Sequence, residues 1–277
     1  MNTTYPSRSV VVGIDGSQAA IGAAEWAVDE AVSREVPLRL IHVIQDQVEP
    51  APFASVGNVR MELEYGEAAL RIASAALAAT GKLVKVETLI LRGDPATTLI
   101  AESRHADMVC VGSVGIGCFA RGLFGSTAAE LAGSARCPVA IIRSKQRQPK
   151  PDTGWIVVSI TGSSDNDGII AYAIEEARLR HAPVLAVGAV QGAGDETDET
   201  SDELDRQVQV WSRHYPDVRL HSVAAHTGIA KFLAGNDDGV QLAVIGSSEA
   251  HQVAQLIGPH SHPILRHAEC SVLVVRS

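Results

Sequence analysis

Aromatic side chains are scarce in this chain: Phe, Tyr and Trp together make up 4% of 277 residues. So few π-faces exclude a groove in which successive nucleic-acid bases stack. Basic residues are also in deficit. The 23 Lys and Arg stand against 32 Asp and Glu, for a formal net charge of -9, which argues against a phosphate-driven DNA or RNA binder. No run approaches the ~20 consecutive apolar residues of a membrane span. The stretch MNTTYPSRSVVVGIDG also lacks the apolar core and cleavage site of a secretory leader. A cytoplasmic protein with neither membrane nor nucleic acid as partner is expected. Four cysteines, Cys110, Cys118, Cys137 and Cys270, show no CxxC spacing and no disulfide-scaffold density, so reduced thiols are expected.

What the chain does have is length for two domains and a regular alternation of two hydrophobic periods. SVVVGIDGS (Ser9 to Ser17) is a short apolar run followed by the amphipathic stretch Ala19 to Glu35, a strand and then a helix. Strands are expected again at Pro37 to Ile44, Val84 to Leu91, Asp107 to Gly112 and Pro138 to Arg143. Helices are expected at Val59 to Thr80, Pro95 to Arg104 and from Ser126. Five strands and four helices in alternation imply a parallel sheet covered on both faces.

The pattern then restarts. Lys145 to Gly154 has no large apolar side chain and two prolines, the composition of a linker. After it, Trp155 to Ser164 resembles the opening strand and turn, and Tyr172 to Val190 matches Trp26 to Ile44 without a gap. Leu242 to Ser248 and Cys270 to Arg276 repeat the last two strands of the first half. Such an internal duplication fixes the architecture as α/β, with two tandem, doubly wound, five-stranded Rossmann-like domains. Their expected limits are 7–145 and 154–277, joined by a linker at 146–153. One segment departs from the repeat: Gln191 to Asp205 is acidic and poor in apolar residues, and a solvated loop is expected there.

After the fourth strand comes a spaced glycine set, Gly112-x2-Gly115-x9-Gly125-Ser126, leading into the helical STAAELAGSA. Glycines let backbone N–H groups approach an anion, and a helix N-terminus adds partial positive charge. A P-loop is excluded, because Leu123 stands where GxxxxGK[ST] requires lysine. The dinucleotide fingerprint fits Gly115-x-Gly117-x-x-Ala120 only nominally, since it follows the fourth strand and Arg121 to Gly125 delay the helix it should open. In a doubly wound sheet the ligand crevice lies between the first and fourth strands, which brings Asp15 opposite Gly112. A carboxylate there accepts from ribose hydroxyls or an adenine amino group while the loop takes phosphates. Structural roles stay open for the same residues. Asp15-Gly16-Ser17 suits a turn and a helix cap, Thr127-x-x-Glu130 suits a capping box, and the glycines suit turns.

With these residues in view, the first half resembles a universal stress protein domain of the ATP-binding subclass, whose signature G-x2-G-x9-G-(S/T) is met by Gly112, Gly115, Gly125 and Ser126. The whole chain resembles the tandem-domain universal stress proteins of actinobacteria, with VVGIDGS and CPVAIIR as further landmarks. The resemblance implies ATP as ligand, with or without Mg2+, and a regulatory role in stress adaptation. By position it puts Gly13, Asp15 and Val43 on the adenosine side and Val111 and Gly112 beside base and ribose. Gly115, Gly125, Ser126 and Thr127 would hold the phosphates, with Arg121 as an added charge. It also implies regulatory protein partners, two domains joined through their final strands as an internal pseudo-dimer, and further pairing of whole chains as a homodimer through a two-fold.

The second half departs from that pattern. Glu249 stands at the place of Gly115, Gly258-Pro259 at the place of Gly125-Ser126, and Thr161 at the place of Asp15. A carboxylate repels phosphate and proline lacks an N–H, so an empty second crevice is expected. His251, His260, His262 and His267 match no strong metal motif and are expected to be ordinary loop histidines. Cys118, inside the first glycine loop, is a candidate reactive thiol. Cys137 and Cys270 precede the last strands of the two repeats and are expected to be small core residues. The phosphate loop has no lysine, and the chain shows no GxSxG elbow. A nucleotide-binding regulator is therefore preferred to a slow nucleotide hydrolase or adenylyl-transfer enzyme, and to a nucleotide-free scaffold.

Overall fold

The computed structural model describes residues 8–46, 56–115, 125–143, 154–161, 165–189, 195–225, 227–235, 239–257 and 270–276. It divides into two compact units, Met1–Ser144 and Lys145–Ser277.

The first unit runs β1 (Val10–Gly13), α1 (Gln18–Ser33), β2 (Leu38–Ile44), α2 (Val56–Ala79), β3 (Val86–Arg92), α3 (Pro95–Glu102), β4 (Met108–Gly112), α4 (Ser126–Ser134) and β5 (Val139–Ile142). All its strand pairs are parallel, in the order β3-β2-β1-β4-β5. In β1, Val10, Val11 and Val12 are fully buried, which is why the strand is an unbroken apolar run rather than an alternating one. On α1 the buried residues Ala19, Ala20, Ala23, Ala24, Ala27 and Ala31 are small, so its backbone lies close to the sheet. Ser17 caps α1 by accepting from the Ala20 N–H at 3.1 Å. Asp94 does the same for α3, and its bond from the Thr97 N–H holds the carboxyl below the usual range.

β1 pairs with β2 on one side and β4 on the other. The connections therefore leave β1 in one direction and reach β4 from the other. This is the topological switch point, with a crevice at the carboxyl ends of the two strands.

The second unit repeats the plan: β6 (Trp155–Ile160), α5 (Asn166–Arg180), β7 (Val184–Ala189), α6 (Asp195–His214), β8 (Leu220–Ala225), α7 (Ile229–Gly235), β9 (Val240–Gly246), α8 (Val253–Ile257) and β10 (Ser271–Val275). Its parallel order is β8-β7-β6-β9-β10. Cys110, Cys137 and Cys270 are buried, the last two as the small core residues expected. No helix among the described residues is long and apolar enough to cross a membrane.

One expectation fails. The acidic segment from Asp195 onward is not a loop but the first half of α6. Its middle and C-terminal turns supply the reason: Leu204, Val208 and Trp211 are buried at spacings of four and three, one helical stripe. The Asp and Glu residues crowd the helix's N-terminal half, where the macrodipole favours negative charge. Gln191 to Gly194 and the linker residues 145–153 lie outside the described residues.

Candidate functional site

The crevice of the first unit is built from the ends of β1 and β4. Beyond β1 the chain turns through Asp15, whose Oδ1 accepts from the Ser17 N–H at 2.9 Å, an Asx turn. Gly16 carries φ 91°, a conformation that favours glycine. The other carboxylate oxygen points across the crevice: a Cβ on Gly115 would come within 2.6 Å of Asp15 Oδ2. The carboxylate after the first strand and the glycine after the fourth, 100 positions apart in the chain, thus face each other, and residue 115 has room for no side chain.

The glycine loop is anchored at both ends. The Ser113 N–H donates to Ile142 O at 2.9 Å, and the Gly125 N–H returns to Ser113 O at 3.2 Å. These bonds hold the start of α4 beside the end of β4. Gly125 is the N-cap of α4 and makes no side-chain cap. The capping box that Thr127-x-x-Glu130 would suit is not formed, because Thr127 already lies within the helix, whose first residue is Ser126. Gly125 thus offers the first-turn N–H groups of α4 no capping oxygen of its own, the arrangement that suits an anion. Residues 116–124, with Arg121 and Cys118, lie outside the described residues.

Gly13, Val43 and Gly112 stand at or near the carboxyl ends of β1, β2 and β4. Gly13 ends β1 where a Cβ would meet Leu99 Cδ1 at 2.9 Å and Val111 Cγ1 at 3.2 Å. Val43 is half-buried near the end of β2. Gly112 has a packing role of its own: a Cβ there would lie 2.7 Å from the Ala19 carbonyl carbon, so glycine lets α1 rest on β4.

Two residues escaped sequence reasoning. His42, buried in β2, has its Nδ1 2.7 Å from Ile14 O. Tyr65 on α2 donates its hydroxyl to Asp15 O at 3.0 Å, and its ring stands edge-on to His42 with centroids 5.9 Å apart. Partial burial, then the charge of Asp15, push the Tyr65 phenol above its ordinary range. The one available signal was the helical period of α2, which says nothing of a residue 50 positions away.

The second unit holds a different arrangement. A 3₁₀ turn, Ser247–Gln252, follows β9 directly. Glu249 lies in it, buried, and accepts from the Ser159 hydroxyl at 2.9 Å. Ser159 stands where Gly13 stands in the first repeat, so the carboxylate reaches into the space between the strand ends. Asn166 brackets Thr161 instead, accepting from its N–H at 3.3 Å. His251 Nδ1 lies 3.1 Å from Ser248 O. His260, His262 and His267 lie outside the described residues, among which no His, Cys, Asp and Glu group is placed to hold a metal.

Burial pushes the Glu249 carboxyl above its ordinary 4.5, against the opposing bond from Ser159. Its Oε2 is buried without a hydrogen-bond partner among the described residues. A raised folded value means that stability is fullest below pH 4.5 and is lost as pH rises through the folded value. Glu249→Gln keeps an acceptor for Ser159 and cannot ionise. It is expected to stabilise the protein at pH 7–8 by on the order of 1 kcal/mol, and the gain shrinks toward pH 4. Thermal unfolding of both proteins across that range checks it. A gain independent of pH would contradict the assignment.

Comparison with known proteins agrees with this architecture. The profile of the universal stress protein family matches residues 6–143 and 155–276, one match in each unit. The chain is 53% identical over 270 residues to universal stress protein Rv2624c of Mycobacterium tuberculosis strain H37Rv, covering 97% of this chain and 96% of that one. It is 43% identical over 276 residues to universal stress protein Rv2028c of the same strain, covering 99% and 98%. Among solved structures, a universal stress protein from Archaeoglobus fulgidus has the same fold, with TM-score 0.73 at 16% identity over 98% of this chain and 97% of that one. On the strength of matches that span both repeats, the chain belongs to the universal stress protein family.

Proposed function

We propose that the first unit binds one adenine nucleotide, ATP, and that the chain acts as a nucleotide-dependent regulatory module in stress adaptation. The observation that carries this reading is the convergence of Asp15 Oδ2 on Gly115 beside the start of α4, where the N-cap Gly125 supplies no side-chain cap. Negative and positive ends of the crevice are then divided as a nucleoside phosphate needs. Asp15 accepts from the ribose hydroxyls. Gly13, Val43, Val111 and Gly112 border the adenosine, and Gly115, Gly125, Ser126 and Thr127 hold the phosphates, with or without Mg2+, through backbone N–H groups other than that of Gly125, which is bonded to Ser113 O.

The reading is a binding module rather than an enzyme. Asp15 is engaged in an Asx turn, and attack on a phosphoryl group needs a positioned nucleophile with a base beside it. Bound ATP instead orders the glycine loop and shifts the population of a conformation read by protein partners. The second crevice, with Glu249 turned inward, takes no nucleotide.

The test is direct. Purified protein, denatured and chromatographed, is expected to release adenine nucleotide at up to one per chain, and stripped protein to rebind ATP at that stoichiometry by calorimetry. Release of none, with no binding at millimolar ATP, would overturn the proposal. Two per chain would overturn the closed second crevice.

A further inference from the structure

The turn that carries Asp15 is held from outside by two side chains on two different elements. The Ile14 carbonyl faces His42 Nδ1 on β2 at 2.7 Å, and the next carbonyl, that of Asp15, accepts the Tyr65 hydroxyl from α2 at 3.0 Å. Close approach makes this possible. Beside Tyr65 stands Gly66, where a Cβ would come within 2.6 Å of His42 Cδ2. Glycine at 66 therefore lets α2 lie against the histidine and lets the neighbouring tyrosine reach the turn.

The bond from Tyr65 falls on a sensitive peptide. Gly16 has φ 91°, and a peptide plane preceding a glycine flips at little steric cost, because glycine accepts φ of either sign. The Asp15–Gly16 carbonyl is the group that would swing. Its direction is tied to the Asx turn, in which Asp15 Oδ1 takes the Ser17 N–H, and so to the aim of Oδ2 at Gly115.

We infer that Tyr65 is a positioning residue of the nucleotide crevice: its hydroxyl locks the Asp15–Gly16 peptide, and through it the carboxylate that receives the ribose. This rests on the nucleotide reading above and adds to it a residue from α2, an element that supplies none of the glycine-loop or strand-end groups. Tyr65 is about half exposed, at 48%, so its ring contributes little to the core. Its hydroxyl is what the turn requires.

The experiment is a double-mutant cycle on the full chain, with ATP binding measured by equilibrium dialysis up to millimolar ligand. Tyr65→Phe is expected to weaken ATP binding about five- to tenfold, as loss of one hydrogen bond does, with thermal unfolding unchanged. In an Asp15→Ala background the same change is expected to alter affinity less than about twofold, because no carboxylate is left to aim. Hydrogen exchange at Gly16 and Ser17 supplies a second readout that needs no ligand. It is expected to quicken in Tyr65→Phe relative to wild type. Wild-type affinity in Tyr65→Phe with unchanged exchange would overturn the role of Tyr65 and leave the nucleotide site standing. An equal penalty in both backgrounds would also overturn it, because the effect would then not pass through Asp15. Failure of wild type itself to bind ATP would overturn the nucleotide reading, and this inference with it.

Discussion

Gly115→Ala is expected to reduce ATP affinity at least about 100-fold while leaving the protein folded, and Asp15→Ala is expected to do the same. The two substitutions act on one point from opposite sides. A methyl group on residue 115 would sit 2.6 Å from Asp15 Oδ2, well inside van der Waals contact, so the carboxylate must swing away. Hydrogen bonds to a charged acceptor contribute about 1.5–3 kcal/mol each, and a carboxylate gripping two ribose hydroxyls gives roughly 3–6 kcal/mol in all. At 1.4 kcal/mol per tenfold, that is on the order of 10²–10⁴ in affinity. Stability is little affected in the first case, because Gly115 is only half-buried in a surface loop and its backbone has no positive φ among those found. Calorimetry with stripped protein, together with the nucleotide released on denaturation, checks both variants. Nucleotide content equal to wild type in either one would sink the assigned site.

The fold was legible because burial wrote itself into the sequence. A strand covered on both faces has to be an apolar run, and β1, β4 and β9 are such runs. The duplication then fixed the order of elements before any single boundary mattered. The crevice between β1 and β4 followed from topology alone, and it set Asp15 opposite Gly112, whereas the structure aims Asp15 Oδ2 at Gly115. The register of the second helix against that rim was not legible. Tyr65 and His42 meet the turn through a helix–strand approach set by Gly66, and a helical period does not say which turn of the helix meets which strand end. The acidic start of α6 was misread for a related reason. Composition counts the Asp and Glu residues but not the stripe of Leu204, Val208 and Trp211 that anchors the helix further on. Glu249 was read as a charge that repels phosphate. In the structure it is also a filling for the crevice, bonded to Ser159, which only a three-dimensional view of the second repeat supplies.

The second large effect separates two glycines that the repeat makes equivalent. Gly112 ends β4 and Gly246 ends β9, yet their neighbours differ in kind. A Cβ on Gly112 would lie 2.7 Å from both the carbonyl carbon and the Cβ of Ala19, and 2.9 Å from its carbonyl oxygen. That obstacle is the first turn of α1, pinned by the Ser17 cap, so the whole helix must lift from the sheet. A Cβ on Gly246 would make one tight contact, with the Cδ1 of Ile169 at 2.8 Å, the far end of a side chain that a rotamer change removes. Gly112→Ala is therefore expected to cost about 2–3 kcal/mol, roughly 5–10 °C of unfolding temperature for a unit of this size. Gly246→Ala is expected to cost under about 1 kcal/mol. Calorimetric unfolding of the two variants beside wild type decides it. Equal losses would mean that the approach of α1 to β4 is not what requires glycine at 112. A loss confined to Gly112→Ala would show that this residue of the glycine signature serves the fold as well as any ligand, because the helix resting on it carries the turn at Asp15.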